Sequence, residues 1–193
     1  MLPDNLSGNL CSLHEGEKRA CIVVKIKIDS VGNKISHKFT RAVIQSWASL
    51  EYGEVQEVID KGKGKPKVLD LVNTVIKPLY DAYSCLKISR KARSPLDLNL
   101  PERKIEIDEK GIVKDVRFKE RLEAHKLIEE FMILANVCAA ETLSYKKTPT
   151  IFRVHEEPDK EKIEALRKTA VSVGLKLSKG QNIKASHINE LLA

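Results

Sequence analysis

Three kinds of feature are scarce or missing in this 193-residue sequence, and each shortage excludes a class of protein. No apolar run approaches the ~20 residues that a membrane-crossing helix needs. The opening stretch MLPDNLSGNL has neither the basic start nor the long apolar core of a secretory leader, so a cytoplasmic chain without a membrane partner is expected. Cysteine occurs at only four separated positions, 11, 21, 85 and 138, with no C-x-x-C pair. In a cytosolic chain that spacing predicts buried free thiols rather than disulfides or metal ligands.

The usual catalytic signatures are also missing. There is no G-x-S-x-G elbow, no G-x-G-x-x-G turn and no H-E-x-x-H pair. The KGKGKPK stretch at 61–67 lacks the G-x-x-x-x-G-K-[ST] spacing of a phosphate-cradling loop and reads as a surface loop. A two-metal nuclease site needs several carboxylates within about 4 Å of paired ions. Here the nine aspartates, at 4, 29, 60, 70, 81, 97, 108, 115 and 159, are scattered. Residue pattern alone therefore assigns neither a catalytic residue nor a metal ligand.

What is present describes a folded chain with a basic excess. Apolar residues make up 42% and charged residues 32%, the balance of a globular protein. The 34 basic residues outnumber the 27 acidic ones, giving a net charge of +7, which favours a polyanionic partner such as nucleic acid. Alternation in RACIVVKIKIDSVGNKISHKFTRAVI predicts a β-hairpin. Ile22, Val24, Ile26 and Ile28 would share one face of the first strand, and Ile35, His37 and Phe39 one face of the second. Gly32 and Asn33 supply the turn, and both residue types are able to take positive φ.

A short helix is expected from near Ser49, and a long helical segment with a possible break at Pro78. A strand-rich stretch follows, LDLNLPERKIEIDEKGIVKDVRF, turning at Glu109 to Gly111. Next come a helix over about 119–147, a strand TIFRVH, and a helix behind Pro158 closed by Gly174. A short final helix is expected to be capped by Ser186. The fold class expected is α+β, mainly antiparallel strands with several helices. On the 119–147 helix, His125, Glu129, Met132 and Asn136 form a stripe along the edge of the apolar face. That stripe is either a salt-bridged rim or the wall of a binding site.

Several blocks, in order, settle what kind of chain this resembles. MLPDNLSGNLCSLHEGEKRA, AVIQSWASLEYGEVQEVI, LDLNLPERKIEID, EAHKLIEEFMILANVCAAETL and IFRVHEEPDKEKIEAL run from end to end of the chain. Together they are similar to the catalytic (RNB) domain of the ribonuclease II/ribonuclease R family, nearest to its bacterial ribonuclease R branch. The resemblance implies part of a Mg²⁺-dependent exoribonuclease, a hydrolase that degrades single-stranded RNA processively from the 3′ end to nucleoside 5′-monophosphates.

It also implies that the metal-holding aspartates precede the MLP block, and that an arginine motif and OB-type RNA-binding domains lie outside this sequence. The chain is thus expected to be a partial RNB domain over 1–193, inactive alone, with the missing parts as possible separate partner chains. In the resemblance, Tyr52 matches a tyrosine contacting the 3′ nucleotide, and Glu129 the glutamate that works with it. Leu98 falls where familiar members carry a base-stacking aromatic, and leucine has no π-face to offer. The alternative reading is a non-catalytic RNA-binding or complementing product of a split or decayed exoribonuclease gene.

Overall fold

Alternating apolar residues form the expected hairpin, β1 (Lys18–Ile28) paired antiparallel with β2 (Lys34–Gln45). The structure is a computed structural model that describes residues 2–96, 98, 103–118, 120–177, 183 and 185–192. Val24, Ile26 and Ile28 are half-buried as the alternation predicts, but Ile22 is exposed. At that end it is the opposite face, with Arg19 and Cys21, that is half-covered. Arg19 there donates from Nε to the Asn9 carbonyl at 3.2 Å and from Nη2 to Asn9 Oδ1 at 3.2 Å.

A second departure lies beside the turn. The pairing shifts between Lys27 and Ile28, from Ser36 to Lys34, so Ile35 is an extra residue in a β-bulge. Ile35 is therefore turned out to solvent, not inward with His37 and Phe39, and Lys34 takes the covered position.

The chain divides into two compact units, one of Met1–Ser89 with Glu120–Tyr145, the other of Arg90–Lys119 with Lys146–Ala193. In the first, α1 (Tyr52–Lys61) begins three residues later than expected. The Ser49 N–H donates to Glu15 Oε2 at 2.7 Å, which holds the entry in an extended path. Helix α2 (Pro66–Leu71), a π turn (Val72–Ile76) and α3 (Lys77–Arg93) follow as one helical run. The wide turn sits where the ring of Pro78 would crowd the carbonyl four residues back. Val58, Val68 and Ile76 form the core, flanked by Leu50, Val55, Ile59 and Tyr80.

Helix α4 (Glu123–Tyr145) packs on α1 and buries Ala124, Leu127, Glu130 and Cys138. Its expected start at Lys119 lies outside the described residues. The four thiols are free, but only Cys138 is fully buried, and Cys11 is exposed.

The second unit holds a smaller hairpin, β3 (Arg103–Ile107) with β4 (Val113–Phe118), and helices α5 (Lys160–Ser172) and α6 (Ala185–Leu192). The earlier part of the strand-rich stretch, residues 97 and 99–102, lies outside the described residues. TIFRVH is not a strand: among the described residues β3 and β4 pair only with each other, and Ile151, Phe152 and Val154 stand exposed and join no ladder. Asp159 caps α5, accepting the Lys162 N–H at 2.8 Å. Gly174, at φ 80°, closes it as expected: its N–H reaches Val171 O at 3.0 Å and the Leu175 N–H reaches Ala170 O at 2.8 Å. Ser186 lies within α6 rather than capping it, because the helix already includes Ala185. No helix among the described residues is long and apolar enough to cross a membrane.

Candidate functional site

Tyr52 opens α1, so its ring projects from a helix end rather than from a packed flank, and it is 43% exposed. Opposite it begins α4, and that beginning has a capping problem. The residue ahead of α4 is Leu122, whose side chain has no oxygen for the first free N–H groups. Two other side chains supply the acceptors. Gln56 Oε1, from α1, accepts the Ala124 N–H at 3.0 Å. His125 Nδ1 reaches back to accept the Leu122 N–H at 3.2 Å, the position a glutamate takes in a capping box. An accepting Nδ1 places the neutral imidazole's proton on Nε2.

With its ring so tethered, His125 stacks on Tyr52, centroids 4.2 Å apart and planes 21° from parallel. One helical turn further along α4, Glu129 is ion-paired with Arg121, the two side chains 40% and 33% exposed. Beneath Tyr52, between α1, the π turn and α4, lies an apolar cavity of about 140 Å³ lined by Leu50, Tyr52, Val55, Ile76, Leu127 and Ile128 among others. On its border, burial and then the charges of Asp60 and Glu123 raise the Tyr80 hydroxyl above its ordinary pKa. Glu123 is held below the ordinary glutamate value, first by its hydrogen bond from Lys126 (2.8 Å) and also by the Tyr83 hydroxyl at 3.0 Å.

Of the residues picked from sequence, the structure joins Tyr52 to the α4 stripe directly, through His125. Glu129 and His125 are half-buried, while Met132 and Asn136 face solvent, so the stripe is a rim rather than an enclosed wall. Leu98 belongs to the other unit and is exposed; Asn189 of α6 donates to the nearby Pro95 carbonyl at 2.9 Å. Sequence reasoning missed Gln56 and Arg121. Gln56 lies 68 residues from its partner Ala124, beyond any local spacing rule. Arg121 lies eight residues before Glu129, outside the i, i+3 and i+4 pairs that a helix pattern reveals. Among the described residues, no group of three His, Cys, Asp or Glu is placed to hold a metal ion.

The RNB domain pattern matches residues 1–193, the whole chain. This chain belongs to the RNB domain family. The RNB chain is 32% identical over 192 residues to ribonuclease R of Escherichia coli (strain K12), covering all of this chain and 24% of that protein. It is 34% identical over 196 residues to ribonuclease R of Thermotoga maritima, covering all of this chain and 27% of that one. Among solved structures it matches the apo form of Mycoplasma genitalium RNase R with a TM-score of 0.85 and 27% identity, over 99% of this chain and 30% of the other. The same match holds for that enzyme in complex with ribose methylated single-stranded RNA. The α+β arrangement with antiparallel strands is thus that of an RNB domain. The chain spans about a quarter of the length of the curated relatives it matches.

Proposed function

We infer that this RNB chain binds the 3′-terminal nucleotides of single-stranded RNA, as one part of a 3′→5′ exoribonuclease acting in the cytoplasm. The observation that carries this is the exposed Tyr52 ring stacked on His125, with Glu129 one turn further along the same helix. Tyr52 offers a flat apolar face and a hydroxyl to the terminal nucleotide. Glu129 offers a carboxylate to the ribose 2′-hydroxyl, the group by which a protein tells RNA from DNA. Holding the scissile phosphodiester in line with the attacking oxygen is one large contribution to catalysis.

Processive degradation, Mg²⁺ and 5′-monophosphate products belong to the complete exoribonuclease in this reading. Among the described residues, no three carboxylate, imidazole or thiol groups gather at one point. That same scatter favours a second statement, that the chain alone contributes binding without cleavage and is completed by the other parts of the enzyme. Leu98 is assigned a lesser role, an apolar contact for a base without stacking.

Fluorescence anisotropy with a 5′-labelled single-stranded oligoribonucleotide tests the binding claim. Tyr52→Ala and Glu129→Ala are each expected to weaken binding about tenfold. Unchanged affinity in both would overturn it. With Mg²⁺ added, the labelled RNA should stay full length, and shortening from its 3′ end would contradict the non-cleaving role.

A further inference from the structure

The RNA reading assigns work to Tyr52 and Glu129 but none to the groups that hold them. Tyr52 sits at a helix terminus, 43% exposed, and its ring stacks on that of His125 with centroids 4.2 Å apart. His125 is in turn fixed by a backbone bond from Leu122. A histidine needed only to cap α4 could turn its ring anywhere that kept Nδ1 on that N–H. Here the bond and the stack are satisfied together, and the ring lies within 21° of parallel to the phenol.

We propose that His125 is a positioning residue for ribose recognition, fixing the Tyr52 ring while Gln56 locks α1 and α4 in register. The proposal rests on the reading of Tyr52 and Glu129 as RNA contacts. Its chemistry is mechanical. The capping bond orients the imidazole, the imidazole orients the phenol, and the Gln56–Ala124 bond fixes the helix end that also carries Glu129. Fixing the ring before the ligand arrives removes its ordering cost from the binding step.

The two functions of His125 separate by substitution. His125→Gln keeps an acceptor that reaches the Leu122 N–H, as in a capping box, but removes the ring. His125→Phe keeps a ring for stacking but removes the acceptor. The full chain, with ¹³C-labelled tyrosine, gives the Tyr52 ring signals by NMR. The same samples give the ratio of affinities for matched oligoribonucleotide and oligodeoxyribonucleotide.

In His125→Gln the Tyr52 ring signals should move downfield, out of the imidazole ring current, and the RNA-over-DNA ratio should fall about tenfold. His125→Phe should keep most of the ratio. Circular dichroism of both variants should match the parent, since a purely structural loss would lower helix content instead. Unmoved Tyr52 signals in His125→Gln overturn the proposal. So does a ratio that is lost in Tyr52→Ala but retained in His125→Gln, which leaves the RNA reading standing. A parent chain with no RNA preference, unaffected by Tyr52→Ala and Glu129→Ala, overturns the RNA reading and the positioning role with it.

Discussion

The molecule contains two hairpins of the same design, and they are used differently. Both have an Asp at the end of the first strand whose carboxylate takes turn N–H groups: Asp29 for Val31 and Asn33, Asp108 for Lys110 and Ile112. Both have a glycine at positive φ, Gly32 and Gly111, and both shift register beside the turn. The first is anchored within its unit. Gly32 approaches α3 so closely that an added Cβ would lie 2.2 Å from the Cys85 carbonyl oxygen. Lys34 pairs with Glu141 of α4, and His37 meets Thr142 Oγ1 at 2.7 Å. In the second, Ile105, Ile107, Val113, Val116 and Phe118 are all more than half exposed, and Gly111 has open space where a Cβ would go. Local sequence writes a hairpin; only distant partners decide whether it becomes part of a framework.

The sharpest way to break this comparison is to substitute the two glycines in parallel. Gly32→Ala should cost about 2–4 kcal/mol, combining left-handed backbone strain with the clash against Cys85. Gly111→Ala should cost only the strain, about 1–2 kcal/mol. Urea unfolding of the two variants gives both numbers, and equal costs would show that the first hairpin is not wedged against α3.

The next effect is smaller and lies under the candidate site. Gln56→Ala removes the acceptor for the N–H of buried Ala124 and should destabilise the chain by about 1–2 kcal/mol. Hydrogen exchange at Ala124 should accelerate in that variant while β1–β2 amides keep their rates. Uniform acceleration would argue for global loosening rather than a freed helix end.

Glu123 provides a test with a sign. Its pKa is lowered in the folded chain, chiefly by the Lys126 hydrogen bond. The contribution is therefore present above the ordinary glutamate value of about 4.3 and is lost as pH falls through the lower folded value. Its carboxylate is substantially exposed, which limits the contribution to some tenths of a kcal/mol. Glu123→Gln should be less stable than the parent at pH 7 and nearly equal to it in acid. A gap that widens on acidification contradicts the assignment. Smallest of all, Phe118→Ser on the open hairpin should shift stability by less than about 0.5 kcal/mol, because that ring is already 65% exposed.

Legibility in the sequence followed the range of the interactions involved. Period-two alternation located the first hairpin, the turn at Glu109 to Gly111 located the second, Gly174 located the end of α5, and the apolar spacing located α4 to within a few residues. Each is a rule about neighbours in the chain. Two departures have distant causes: Ser49 is kept out of α1 by Glu15, and TIFRVH joins no ladder among the described residues; the bulge that turns Ile35 outward is local, set beside the turn where Ile28 pairs with Lys34. At the site, the resemblance supplied Tyr52 and Glu129, and helical spacing supplied His125 as a member of the stripe. Neither showed that His125 faces Tyr52, because that contact joins residues 73 positions apart in two helices.

If the terminal nucleotide rests on Tyr52, its base lies within crosslinking reach of that ring and of the start of α4. An oligoribonucleotide with a photoreactive base at its 3′ end, crosslinked to the chain and mapped by mass spectrometry, tests it most directly. Adducts should concentrate on the peptides carrying Tyr52 and the start of α4, and be lost when an unlabelled 3′ end competes. Adducts spread over the lysines of β1, β2 and the 61–67 loop, with none at Tyr52, would contradict it.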